Sequence, residues 1–193
     1  MNKLTILLFT AAISFNAFAN NNSVEVFIQA GEIDSGDVSP EVDGFSIAYE
    51  HTFDKFISRF SYDLFSGEGN LYSNKVDLDL SIFELSIGYP VIEYKKHTVL
   101  VWGGFQNWRS EFEINNTDWN EDDNGAGIKI QYSYQLIDSL EIKLEAGKVF
   151  MEEDINIFDV FLSYQIKDRF YILAGYESQD DLNTYKIGLK YSF

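Results

Sequence analysis

Two histidines, His51 and His97, and 31 acidic side chains are the groups in this 193-residue chain that could move protons or hold a cation. A serine nucleophile needs a histidine base within reach. On an extended strand that means a partner two residues away, on the same face. His51 is followed two positions on by Phe53, and His97 by Val99. A hydrolase built on paired acids would need a histidine among them, and the acid-rich stretches 33–43 and 115–124 contain none. With no complete acid–base constellation, the chain is not expected to be an enzyme. The stretch NNTDWNEDDNG sets Asp118, Asn120 and Asp122 at the first three ligand positions of a calcium-binding loop. The place that requires glycine holds Asp123 and the closing glutamate position holds Lys129, so the motif fails. Those three residues are weak candidates for a loose divalent-ion site; no dedicated metal site and no cofactor is expected. The chain has no cysteine, which removes thiol chemistry and disulfides.

A second set of charges has a different spacing: each lies one residue away from large apolar side chains. Glu50, Arg59, Asp63, Asp77, Asp79, Glu84, Lys129, Lys143, Glu145, Lys186 and Lys190 all fall on the polar side of alternating segments. Glu25, Glu141, Asp159 and Glu177 share that side, so acids outnumber bases there. If this side encloses water, carboxylate rings favour cations. If it encloses little space, the same groups pair and fill it. A structural barrel plugged by ion pairs and a narrow, cation-leaning pore are therefore the two leading expectations. Surface recognition through the acidic stretches 33–43 and 115–124 is the alternative. A lipid-modifying enzyme ranks below both.

The elements that would carry these charges are strands. Period-two alternation recurs along the chain, broken by short polar stretches. In GIKIQYSYQL, Ile128, Ile130, Tyr132, Tyr134 and Leu136 oppose Lys129, Gln131, Ser133 and Gln135. Ten such segments can be read, at about 23–32, 43–53, 56–65, 75–89, 97–113, 125–137, 139–150, 155–167, 169–178 and 183–193. The fourth changes phase: Val76, Leu78, Leu80 and Ile82 share one side, and Phe83, Leu85, Ile87 and Tyr89 continue it. A β-bulge near Ile82 is the expected cause. Short connections alternate with longer or more acidic ones, the pattern of a transmembrane β-barrel with two unlike rims.

Two aromatic groups flank the apolar stretches. Phe53, Phe56, Tyr89, Tyr94, Phe170, Tyr191 and Phe193 fall near the short turns; Phe65, Tyr72, Trp108, Phe112, Phe150, Phe158, Tyr176 and Tyr185 fall near the other end. Paired aromatic girdles suit a membrane interface. The sequence therefore predicts an all-β fold, a closed antiparallel transmembrane β-barrel of about ten strands, with eight as the alternative count. The first nineteen residues, MNKLTILLFTAAISFNAFA, combine an early lysine, an apolar run and an Ala-Phe-Ala site. They are expected to be a cleaved signal peptide (1–19), leaving residues 20–193 as the barrel domain. The formal charge of −17 argues against nucleic acid as a partner.

The final segment, YKIGLKYSF, sets Tyr185, Ile187, Leu189, Tyr191 and Phe193 on one face. It resembles the closing strand of bacterial outer-membrane β-barrels, which end on Phe after alternating apolar residues. The general likeness is to small OmpA/OmpX-type barrels of the porin-like superfamily. That resemblance implies the outer membrane of a Gram-negative bacterium, with loops outside the cell and both chain ends in the periplasm. It implies that the terminal strand is an assembly signal read by the β-barrel assembly machinery and pairs with the first strand. Outer-membrane lipid and lipopolysaccharide are the expected surroundings, and a closed barrel needs no partner copy to cover an edge, so a monomer is expected.

Overall fold

A computed structural model describes residues 22–34, 40–71, 74–114 and 117–193. The expected leader and Tyr72 lie outside that range. Ten strands follow one another: β1 (Asn22–Ile33), β2 (Glu41–Phe53), β3 (Phe56–Leu71), β4 (Asn74–Tyr94), β5 (His97–Ile114), β6 (Thr117–Ile137), β7 (Leu140–Phe150), β8 (Ile155–Lys167), β9 (Phe170–Gln179) and β10 (Leu182–Ser192). Each pairs antiparallel with its neighbours, and β1 pairs with β10, so the sheet closes into a barrel with no free edge. Phe193 completes the closure: its N–H donates to the Asn22 carbonyl at 2.9 Å, and the Asn22 N–H donates back at 3.0 Å.

One rim consists of two-residue turns between β2 and β3, β4 and β5, β6 and β7, and β8 and β9. Asp54, Lys95 and Arg169 adopt positive φ there, which lets two residues reverse the strand. Register shifts at Pro90/Ile92, Gln135/Ile137 and Gln165/Lys167 all lie at this rim, so bulges are concentrated where the strands leave the barrel. The opposite rim is uneven. β4 and β6 run for 21 residues each, β9 for only 10. A membrane strand needs about 9–11 residues, so the wall built by β3–β6 stands well above the rest. The β9–β10 connection at this rim, read as one of the longer set, is a two-residue turn with Asp180 at φ 47°.

The outer surface near the short-turn rim is apolar and open. Ile28 is 66% exposed, Leu189 61% and Ile130 56%. Hydrocarbon satisfies such a band and water does not. Aromatic pairs ring its lower margin: Phe53 stacks on Phe56, Phe56 meets Tyr89, and Tyr191 lies between Phe170 and Phe193.

Candidate functional site

Inside the barrel two layers follow one another. The layer toward the short turns is charged. Arg59 on β3 donates to Glu50 on β2 at 3.0 Å, to Glu145 on β7 at 3.1 Å and to Gln131 on β6 at 3.1 Å. Its guanidinium lies 4.1 Å from the ring centroid of Trp102 on β5. One side chain therefore touches four other strands, two of them on the far side of the ring. Lys129 holds Glu84 at 2.7 Å and Glu145 at 2.9 Å. Lys186 spans from β10 to Asp63 on β3 at 3.0 Å and holds Glu177 at 2.8 Å. Lys190 holds Glu25 at 2.8 Å and Glu50 at 3.4 Å. Lys143 lies 3.7 Å from Glu141 at the lower edge.

Bulk fills what charge does not. Phe27 on β1 meets Phe161 on β8 across the two strands between them, with ring centroids 5.9 Å apart. Two inward aromatics need glycine opposite them: a Cβ on Gly175 would stand 2.2 Å from the Phe161 ring, and one on Gly88 would stand 2.8 Å from Trp102. The space left among these groups is about 110 Å³, room for a few waters and not for a continuous channel. Of the inward carboxylates named from sequence, Asp159 alone has no ion pair among the described residues, and its Oδ1 is buried without a partner.

The upper layer is apolar. Val42, Phe65, Leu78, Leu80, Ile82 and Leu182 pack together inside the barrel, with Ile33, Trp108 and Phe112 against them. This corrects the reading of β4. Glu84 and Ile82 point inward alike, and β4 pairs with β3 without a shift from Asn74 to Gly88. There is no bulge near Ile82. The pleat keeps its phase and the polarity of its two faces exchanges. Asp77 and Asp79, expected in the lumen, are therefore on the outer face. Phe65, Trp108 and Phe112, expected in the upper girdle, point inside, while Phe150, Phe158, Tyr176 and Tyr185 do face outward.

The same exchange occurs on neighbouring strands. Outside, Leu64 gives way to Ser66, Phe83 to Ser81 and Asp79, Phe105 to Asn107 and Arg109, and Phe45 to Asp43. Above the apolar band the wall becomes polar outside and apolar inside, as a β-protein in water is. A sequence search for one continuous lipid face misses this; the signal was the exchange itself, visible in DLDLSIFEL.

The stretch read as a calcium-type loop is part of a strand. Asp118, Asn120 and Asp122 lie in β6, opposite Glu113, Glu111 and Arg109 of β5. A straight strand spreads alternate residues along its length instead of wrapping them around an ion. Asp122 pairs with Arg109 at 3.3 Å, and among the described residues no group of three or more His, Asp or Glu is placed to hold a metal. The two histidines lie near the short-turn rim. His51 Nδ1 lies 2.6 Å from Asn22 Oδ1, and His97 Nδ1 lies 2.8 Å from the Tyr132 hydroxyl.

No protein-family model and no curated protein sequence matches the chain. Solved structures do match its fold. The outer membrane protease OmpT from Escherichia coli superposes with a TM-score of 0.58 at 9% identity, covering 92% of this chain and 99% of that one. The translocator domain of the autotransporter NalP from Neisseria meningitidis gives 0.55 at 10% identity, covering 98% and 95%. The β domain of the Bordetella autotransporter BrkA gives 0.54 at 9% identity, covering 91% and 100%. The chain has the fold of outer-membrane β-barrels, and at these identities the likeness extends to the fold alone.

Proposed function

We propose that this chain is a non-enzymatic outer-membrane β-barrel of a Gram-negative bacterium whose lumen is closed to ions. Its short turns and both chain ends lie in the periplasm, and the tall β3–β6 wall lies outside the cell, among lipopolysaccharide. The observation that carries the reading is Arg59, which bonds to β2, β6 and β7 at once and rests on Trp102. An ion crossing the barrel would have to break that set of bonds. The structural role is favoured over the cation-leaning pore because nearly every inward acid is tied to a base. OmpT is a protease, and that activity is not carried over: His51 and His97 bond to an amide and a phenol, and among the described residues neither joins a cluster of three or more acids and histidines. Tyr185, Ile187, Leu189, Tyr191 and Phe193 remain the proposed signal for the assembly machinery.

Planar-bilayer recording of the folded chain is the test. A silent bilayer is expected, together with heat-modifiable migration that reports a folded barrel. Discrete, cation-selective openings would make it a pore, and turnover of peptide or lipid substrates would make it an enzyme. A second reading, recognition at the extracellular rim, is favoured by one observation: the upper interior holds a cavity of about 650 Å³ that opens at that rim.

A further inference from the structure

The cavity has walls of one character and a mouth of another. Leu78, Leu80, Trp108, Phe112 and Leu182 present an apolar surface to it. Three exposed carboxylates stand at its mouth: Glu121 on β6, Glu153 between β7 and β8, and Asp181 in the β9–β10 turn. None of the three has an ion pair among the described residues. At its base lies Gln179, 8% exposed, which also lines the charged layer below. Its amide donates to Glu177 at 2.6 Å, while its Oε1 is buried with no hydrogen-bond partner. Gln179 thus separates the bowl from the charged layer.

We propose that this bowl binds a small cationic amphiphile, a single ammonium or guanidinium group carried on an aliphatic or aromatic body. The proposal rests on the recognition reading above and names its ligand class. The carboxylates at the mouth attract a cation and repel anions, lipopolysaccharide included. The walls gain only from an apolar body, so a bare metal ion would leave most of the site unused. A volume of about 650 Å³ suits a small molecule rather than a folded partner.

Dansylcadaverine, an ammonium on a short alkyl arm with an aromatic head, is the probe. Its N-acetyl form and anilinonaphthalene sulfonate serve as neutral and anionic counterparts. The folded chain in nanodiscs of neutral phosphatidylcholine is titrated, with empty nanodiscs subtracted, and energy transfer from tryptophan is followed. Saturable binding of dansylcadaverine is expected. It should weaken about tenfold or more in Glu121→Gln/Glu153→Gln/Asp181→Asn. Trp108→Phe should cut the energy transfer while the probe still binds by direct emission. Because the three carboxylates are exposed, their neutralisation should leave heat-modifiable migration unchanged. Equal binding of the acetylated probe, or full affinity in the triple variant, would overturn the cation claim and leave recognition standing. Absence of saturable binding by all three probes would overturn both.

Discussion

The lower and upper halves of the interior solve one packing problem with opposite chemistry. The lower half, from Glu50 and Arg59 to Lys129 and Glu145, lies behind a wall whose outside is apolar and keeps only about 110 Å³ among its side chains, so its polar groups are satisfied mainly by one another. They are gathered into pairs that cross the ring. The upper half, from Val42 and Phe65 to Leu78 and Leu182, faces a wall whose outside is polar. There apolar side chains collect on the inner face, where they pack against one another around the open bowl. The backbone does not change between the two; only the solvent outside it does. On the proposed placement in the outer membrane, the level of exchange, near Ser81 and Phe83 on β4, marks where the barrel leaves the bilayer.

The largest expected effect breaks the lower half. Arg59→Ala leaves Glu50 without its nearest cation and removes one of two from Glu145, and losing a partner of a buried pair costs about 3–5 kcal/mol. Urea unfolding from vesicles, followed by gel migration, reads that loss, and the same variant should leak ions in a planar bilayer. The upper half should respond somewhat less: Leu78→Ala is expected to cost about 2–4 kcal/mol without raising conductance. The two halves should also differ in how they tolerate apolar repair. Removing Lys129 alone strands Glu84 and leaves Glu145 with Arg59 only, whereas replacing Lys129 by Met and Glu84 by Gln together should recover about half of that loss, a coupling of about 1–2 kcal/mol in a double-mutant cycle. The smallest effect separates the two faces of β4 and β3. Asp63→Asn removes one of the two carboxylates that hold Lys186 and should destabilise measurably, while Asp79→Asn, exposed on the outer face, should stay within about 0.5 kcal/mol of wild type.

Much of this architecture can be read from the sequence. The ten alternating segments correspond to the ten strands, because the period-two pattern holds wherever a wall separates two unlike environments. The boundaries differ at β4, which runs on past Tyr89 through a register shift at the short-turn rim, and at β3 and β6, which run on past Phe65 and below Gly125 into polar residues. There alternation persists with the sides exchanged, and a reading that assumes one lipid face ends the strand or inserts a bulge. Glu50, Arg59, Asp63, Glu84, Lys129 and Lys186 lie inside as their parity requires. Asp77 and Asp79 have the parity of the outer face, and only the assumed phase slip moved them. Which base meets which acid could not be read at all, since Arg59 and Glu145 are 86 positions apart and meet only after the ring closes.

Cysteine scanning along β4 tests the polarity exchange most directly, since the chain has no cysteine of its own. Single cysteines at Leu78, Asp79, Ser81, Leu85 and Ile87 would be probed in vesicles with a membrane-impermeant maleimide, and with a bimane label against brominated lipid. Asp79→Cys and Ser81→Cys should react from water, Leu85→Cys and Ile87→Cys should be quenched by lipid, and Leu78→Cys should not be quenched by lipid. Lipid quenching at Leu78→Cys, with Asp79→Cys shielded, would mean that β4 slips phase at Ile82 after all and that the upper wall stands in the membrane.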